Sequence, residues 1–235
     1  MITKQDKKEN AIAIIGASGG IGYALLQELA GDIETNYFPT YNSSVSQNAE
    51  FNWSYYNSGD QDSVQKYFEH LSNYNLTAII DCSGAFFASS LNKATNFDIE
   101  KVISANLIGP FVTAKQALNA LAPDGKLILM SSILAKKNVF GSSIYAASKA
   151  GLEHGIAVLG EEFSKKNLAI CGIRLDYMDY GMTHRINDDV KAKIRNSMPN
   201  LEFIKIEELA KIIKLIFSKD SKQISGRTFL WNEKI

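Results

Sequence analysis

Short apolar runs alternate with segments of helical periodicity along the whole chain. Residues 11–15, 77–82, 126–130 and 168–175 are apolar runs of strand length, the pattern of strands buried on both faces. Residues 37–41 read as a further strand, although Pro39 removes one donor from its ladder. Residues 48–54 read as a weak strand and 228–231 as a short last one. Between them the spacing predicts helices at 21–30, 62–71, about 99–121, 144–163 and 206–217. In the second of these, Val64, Tyr67, Phe68 and Leu71 share one face. Strands that alternate with helices join through right-handed crossovers, so the expected architecture is three-layer α/β: one domain over residues 1–235, with a mostly parallel sheet and helices on both faces. No repeat, low-complexity tract or linker divides it. Residues 176–205 fit the alternation least, being polar, aromatic and Met-containing, with a helical pattern only around 188–196. They directly follow a strand, at the edge where ligands bind in such sheets, and are expected to form a lid over a substrate site.

Composition narrows the partners. Lys plus Arg and Asp plus Glu balance at 25 each, so no electrostatic case exists for nucleic acid or an anionic membrane. Only four of the basic residues are Arg, so bidentate phosphate recognition is not a general theme. Cys82 and Cys171 sit in apolar runs and read as buried free thiols; no Cys/His cluster suggests a metal. The N-terminus is charged and lacks an apolar signal core, and no run approaches the roughly 20 apolar residues of a membrane span. A cytoplasmic protein is expected.

The segment Gly16-Ala17-Ser18-Gly19-Gly20-Ile21-Gly22 joins the first strand to the first helix. A tight turn, close approach to a pyrophosphate and tight helix–strand packing each favour a residue without a Cβ, and the helix N-terminus offers N–H groups to phosphates. The position predicts dinucleotide binding; a glycine turn without a ligand is the alternative. After the second strand stands Thr40-Tyr41-Asn42-Ser43-Ser44, with no carboxylate to hold a ribose 2′-hydroxyl or repel a 2′-phosphate. NADP(H) is therefore favoured over NAD(H), although no Arg or Lys pairs with the phosphate and an ordinary polar turn explains the residues equally well.

Tyr145 and Lys149 are four residues apart in a helical pattern and share a face. A free phenol, with pKa about 10, is a weak acid near neutrality, and an adjacent ammonium lowers that value. With 10 Tyr and 21 Lys, about one such pair arises by chance, so the surroundings decide. Ser131 and Ser132 end an apolar strand, where a hydroxyl can hydrogen-bond a substrate carbonyl. Asn106 lies four residues before Pro110 inside a helix, where a kink is expected and where its amide can hold a water linking Lys149 to solvent.

The ordered set Gly16-x3-Gly20-x-Gly22, Asn106, Ser132 and Tyr145-x3-Lys149 resembles the short-chain dehydrogenase/reductase family, including its oxoacyl-carrier-protein reductases. Ser132 precedes Tyr145 by thirteen positions, the family's separation, which favours it over Ser131. The likeness runs from about residue 11 to 175, and more loosely to 226. It implies a Rossmann fold and an NAD(P)-dependent oxidoreductase that interconverts a carbonyl and a secondary alcohol. It also implies roles: Tyr145 as acid/base, Lys149 as its activator and ribose ligand, Ser132 orienting the carbonyl and Asn106 supporting a proton relay. Cofactor contacts fall by resemblance on Gly16, Ser18, Gly20, Ile21, Gly22, Asn42, Ser43, Ser83, Gly84, Asn106, Tyr145, Lys149 and Thr183. Asp81-Cys82-Ser83-Gly84 stands in place of the family's Asn-Asn-Ala-Gly, and its Pro-Gly after the sixth strand is replaced by Asp176-Tyr177. Small residues on the Tyr/Lys helix (Ala146, Ala147, Ala150, Gly151 and Gly155) match the surface that builds dimers and tetramers in the family, although they can also pack within one subunit. Phe86, Phe87, Phe140, Met178, Met182 and His184 are candidates for a mixed aromatic and apolar substrate pocket, while Lys136 and Lys137 suit an anionic substrate or a solvated face. A non-catalytic NAD(P)-binding sensor and an NAD(P)-dependent epimerase or dehydratase are the competing readings.

Overall fold

A segment apolar on both faces satisfies its backbone between neighbouring strands and its side chains between layers, and the apolar runs accordingly become the strands of one sheet. The computed structural model describes residues 8–31, 35–43, 50–178, 180 and 203–231. The strands are β1 (Asn10–Ile15), β2 (Asn36–Tyr41), β3 (Ser54–Tyr55), β4 (Asn75–Asp81), β5 (Lys126–Ser132), β6 (Ala169–Leu175) and β7 (Thr228–Leu230). They lie in the order β3-β2-β1-β4-β5-β6-β7, and every neighbouring pair is parallel. The helices are α1 (Gly20–Leu29), α2 (Gln61–Leu71), α3 (Asn96–Ile103), α4 (Gly109–Ala120), α5 (Ser143–Lys165), α6 (Ile206–Phe217) and the short α7 (Ser221–Ile224).

Successive residues of each inner strand serve opposite cores. Ile12 and Ile14 of β1, with Ile128 and Met130 of β5, pack with α1 and α6 through Leu25, Leu26, Leu209 and Ile213. Ala13, Ile15, Leu127 and Leu129 pack with α2, α4 and α5 through Phe68, Ala117, Leu152 and Phe163. The result is the expected three-layer Rossmann-type domain. The chain winds outward from β1 to β3 and then returns past β1 to β4. That reversal opens a crevice at the carboxyl ends of β1 and β4.

Two local expectations are revised. Of the weak strand expected at 48–54, residues 48–49 lie outside the described residues, and the strand runs only over Ser54–Tyr55, because the Trp53 N–H donates to the Phe51 carbonyl (3.1 Å) and turns the chain just before it. The single helix at 99–121 starts earlier, at Asn96, where Thr95 and Asp98 form a reciprocal cap. It is then interrupted by a π turn at Ser104–Ile108. Pro110 has no N–H and crowds the carbonyl four residues back, so the helix accommodates it with a wider turn, closed by the Gly109 N–H on the Ser104 carbonyl.

The helical pattern at 188–196 and most of the expected lid at 176–205 lie outside the described residues. The two ends of that stretch meet: the Ile204 N–H donates to the Tyr177 carbonyl (2.9 Å), and Met178 bridges Ile204.

Candidate active site

The glycine turn sits at the mouth of the crevice. Gly16 has φ +71°, and a Cβ there would stand 2.8 Å from the Ser83 nitrogen. A Cβ on Gly22 would stand 2.5 Å from the Gly16 carbonyl oxygen, so α1 and β1 approach only because both positions are bare. The Gly16 N–H donates to Thr40 Oγ1 (3.0 Å) and the Ser18 N–H to the Thr40 carbonyl (3.2 Å), which ties the turn to the end of β2. Gly19 and Gly20 are exposed, and α1 begins without a side-chain cap or an acidic residue in its first turn. Its leading N–H groups therefore face outward for an anion, and the turn fits the pyrophosphate of a dinucleotide. Asn42 and Ser43 lie exposed just beyond β2, and Thr183 lies outside the described residues.

β4 ends at the buried carboxylate of Asp81. Its Oδ1 accepts from the Ser83 N–H (2.9 Å) and hydroxyl (2.5 Å), and its Oδ2 from the Thr113 hydroxyl (3.2 Å), which also bonds the Tyr56 hydroxyl (3.0 Å). Burial raises the Asp81 pKa; the Ser83 and Thr113 hydrogen bonds and the Lys149 charge oppose this. Next along the chain, Gly84 leaves room for Asn106, whose Oδ1 would stand 2.9 Å from a Cβ there.

Asn106 is fully buried inside the π turn. Its Oδ1 accepts from the Ala85 N–H (2.8 Å), while its Nδ2 donates to the Ala85 carbonyl (2.8 Å) and to Ser148 Oγ (3.2 Å). The amide thus clamps the loop after β4 to α5. Position 110 donates nothing, and one carbonyl of the π turn loses its helical donor.

Tyr145 and Lys149 are both buried on the first turns of α5. The Ser132 side chain stands near the Tyr145 phenol, and both line the same cleft. Ser132 accepts from the Leu134 N–H (3.2 Å), whereas Ser131 turns away to Glu153. Lys149 donates from Nζ to the Met130 carbonyl (2.8 Å) and stands 5.9 Å from the centre of the Tyr145 ring. The expectation of a lowered phenol pKa is corrected here. Burial raises Tyr145 and the nearby Ser132 side chain only partly offsets it. Burial also lowers Lys149 to about 8, against the pull of Asp81 and Cys82.

These groups line a cleft of about 430 Å³ between β4, β5 and the segment after β6. Its lining includes Ile21, Ser83, Gly84, Asn106 and Lys149, with the apolar and aromatic Phe86, Leu134, Val139, Phe140, Tyr177 and Met178. The Phe86 ring meets Tyr145 edge-on, with centroids 5.0 Å apart. Phe87 is not among the lining residues and packs against Val102, Leu134 and Tyr145. Met182 and His184 lie outside the described residues. Cys82, a free thiol, lines the cleft; Cys171 is free and buried in the core. Lys136 and Lys137 are exposed along an adjoining groove beside Ala146, Ala147 and Ala150. Gly151 and Gly155 accommodate Leu107 and Phe111 of the same chain, so part of the small-residue stripe is used internally.

One buried arrangement at this edge was not read from the sequence. Glu153, one turn beyond Lys149, forms a bidentate ion pair with Arg174 of β6 and accepts from Ser131. The continuing four-residue spacing Tyr145, Lys149, Glu153 was the available signal.

The chain is similar to known proteins over most of its length. A family model described as Enoyl-(Acyl carrier protein) reductase matches residues 44–233. The chain is 26% identical over 220 residues to the 3-oxoacyl-acyl-carrier-protein reductase MabA of Mycobacterium bovis, covering 92% of this chain and 88% of that one. It is 27% identical over 233 residues to an acetoacetyl-CoA reductase of Cupriavidus necator, covering 93% and 95%. A short chain dehydrogenase from Burkholderia cenocepacia, solved in complex with NADP, superposes with a TM-score of 0.82 at 22% identity, over 95% of this chain and 96% of that one. Among the described residues no helix is long and apolar enough to cross a membrane. The parallel sheet and its strand order agree with the solved fold, the family model covers most of the sequence, and the chain belongs to the short-chain dehydrogenase/reductase family of oxidoreductases.

Proposed function

We propose that the chain interconverts a carbonyl and a secondary alcohol with NADP(H) in preference to NAD(H), and that Tyr145 is its acid/base. The observation that carries this reading is the meeting of the Tyr145 phenol, the Ser132 side chain and the Lys149 amine in one cleft, with the amine 5.9 Å from the centre of the phenol ring. When bound, the nicotinamide supplies the hydride. Ser132 hydrogen-bonds the carbonyl oxygen and holds it at the phenol. Tyr145 keeps its proton at rest, because burial raises its pKa, and gives it up when an alkoxide forms at hydrogen-bond distance. The ammonium of Lys149, charged below about pH 8, stabilises the phenolate that is left.

Gly16, Ser18, Gly20, Ile21 and Gly22 offer backbone to the pyrophosphate, Asn42 and Ser43 face the adenosine ribose, and Ser83, Gly84 and Lys149 the nicotinamide side. Thr183 is assigned to the carboxamide. The preference for NADP(H) rests on the absence of a carboxylate at Asn42 and Ser43, and a fold relative is solved with NADP. A homodimer or homotetramer is the proposed assembly. Ile108 at the end of the π turn, Phe111 of α4 and Val158 of α5 are exposed, and Phe111 lies over Gly155, which sets α4 and α5 side by side. A sedimentation mass of one chain would contradict it.

The deciding assay measures turnover of carbonyl substrates with NADH and NADPH in parallel. The panel begins with 3-oxoacyl thioesters, because two relatives are named as reductases of that type. Tyr145→Phe is expected to abolish turnover and leave cofactor binding within about twofold. An unaltered rate rejects the mechanism, and a wild-type chain that binds cofactor without turnover is a binding protein instead.

A further inference from the structure

We infer that Glu153 and Arg174 form the positioning pair of this reaction, fixing α5 against β5 and β6 so that Tyr145 and Lys149 stand at Ser132; the inference rests on the carbonyl chemistry proposed above. Tyr145, Lys149 and Glu153 follow one another at four-residue steps and are all buried on the same face of α5. Each meets one of the last three residues of β5. The Tyr145 phenol stands near Ser132, Lys149 Nζ donates to the Met130 carbonyl (2.8 Å), and the Ser131 hydroxyl donates to Glu153 Oε1 (2.8 Å).

The third contact is reinforced from the neighbouring strand. Arg174 lies opposite Ser131 in the β5–β6 register. It donates from Nε to Glu153 Oε1 (2.8 Å) and from Nη2 to Glu153 Oε2 (2.7 Å). Leu175 and Asp176, the next two residues, line the cleft. A single carboxylate thus joins a helix and two strands, each at a position beside or one turn from a residue of the site.

Stability alone is a poor reason for this pair. Glu153 is only 7% exposed, and the cost of desolvating a buried ion pair offsets much of its attraction. Leu152, Ile156 and Phe163 hold the same helix to the same sheet with apolar contacts. Apolar contact, however, is non-directional and leaves sliding along the helix axis weakly opposed. Two parallel N–H···O bonds to one carboxylate fix both translation and rotation. A helix advances 1.5 Å per residue, and a misplacement of about 1 Å costs on the order of 100-fold in rate.

The test replaces both partners by apolar residues of similar length, Glu153→Met with Arg174→Met. The readouts are kcat, KM for each substrate, cofactor affinity by fluorescence and the midpoint of urea unfolding. The double variant is expected to unfold at the same or a higher urea concentration and to bind cofactor within about twofold, while kcat falls about 10- to 100-fold. Arg174→Lys, which keeps the charge and loses the fork, should fall between it and wild type. A folded double variant with wild-type kcat overturns the inference, as does a loss of kcat that only parallels losses of stability and cofactor affinity. Should the double variant fail to fold, Ser131→Ala decides: a several-fold fall in kcat at unchanged cofactor affinity supports the inference, and an unchanged kcat overturns it. Tyr145→Phe in the same assay separates the two levels. If it is inactive and the double variant is unimpaired, only the positioning role fails; if wild type does not turn over, the reaction and its positioning pair fall together.

Discussion

The two halves of α5 lie on one sheet and solve opposite problems. The first half buries Ser148, Lys149 and Glu153, each with a named polar partner, and Tyr145 near Ser132, with Leu152 the one apolar residue among them. The second half buries Ile156, Gly160 and Phe163, and approaches so closely that a Cβ on Gly160 would stand 2.4 Å from the Gly226 Cα. Polar groups withdrawn from water are costly even when paired, and apolar burial is favourable in proportion to area. The rear half therefore stabilises the helix, and the front half draws on that stability to hold ionisable groups away from solvent.

This contrast breaks most visibly at Phe163, which is fully buried. Phe163→Ala is expected to lower the unfolding free energy by about 3–5 kcal/mol, independently of pH, with turnover per folded molecule kept. Urea titration with active-site normalisation checks both parts; a selective loss of kcat would erase the distinction.

The opposite sign is expected at Lys149. Burial holds its pKa at about 8 against an ordinary 10.5, so below pH 8 the folded chain carries a charge that the unfolded chain solvates freely. Lys149→Met should raise stability at pH 7 by up to about 3 kcal/mol, less the lost bond to the Met130 carbonyl, while abolishing turnover. Between about pH 8 and 10.5 the unfolded wild type binds more protons than the folded one, so wild-type stability rises and the gap narrows. Unfolding curves at pH 7 and above 10.5 measure it.

The smallest effect sharpens the comparison beneath the same site. Burial raises the Asp81 pKa, so the folded wild type retains protons that the unfolded chain gives up, and its stability falls as pH rises past the ordinary carboxylate range. Asp81→Asn should raise stability at neutral pH, with the gain shrinking in acid. It should also lower the Lys149 pKa further, because the Asp81 charge is the larger of the two influences that oppose its burial. A pH–rate profile shifted to lower pH is the expected reading, and an unshifted profile separates the two groups.

The legible parts of the molecule were those encoded locally. A strand buried on both faces is apolar throughout, and the amphipathic helix predicted at 206–217 has the observed bounds, Ile206–Phe217. The glycine turn and the Tyr145/Lys149 step depend on neighbours within a single turn and were equally accessible. The Glu153–Arg174 pair was not, because it needs the register of β5 on β6 and the height of α5 above them. Nor was the direction of the Lys149 amine, which turns to a backbone carbonyl that no side-chain pattern reports. Asn106 was recognised by its distance from Pro110, but its partners at Ala85 and Ser148 follow from three elements meeting.

α3 and α4 follow one another without a loop, yet the extra residue in the π turn sets their faces about 100° apart. Val102 consequently looks toward Leu134 and Tyr145, while Ala114 and Ala117 look toward the sheet. A chain shortened by one residue at Ser104–Ile108 would turn α3 by about 100° against α4 and swing Val102 and Asn106 aside together. The phenol would keep its sequence neighbours and lose its walls, so the spacing of a helix that never enters the chemistry decides whether the chemistry has an enclosure.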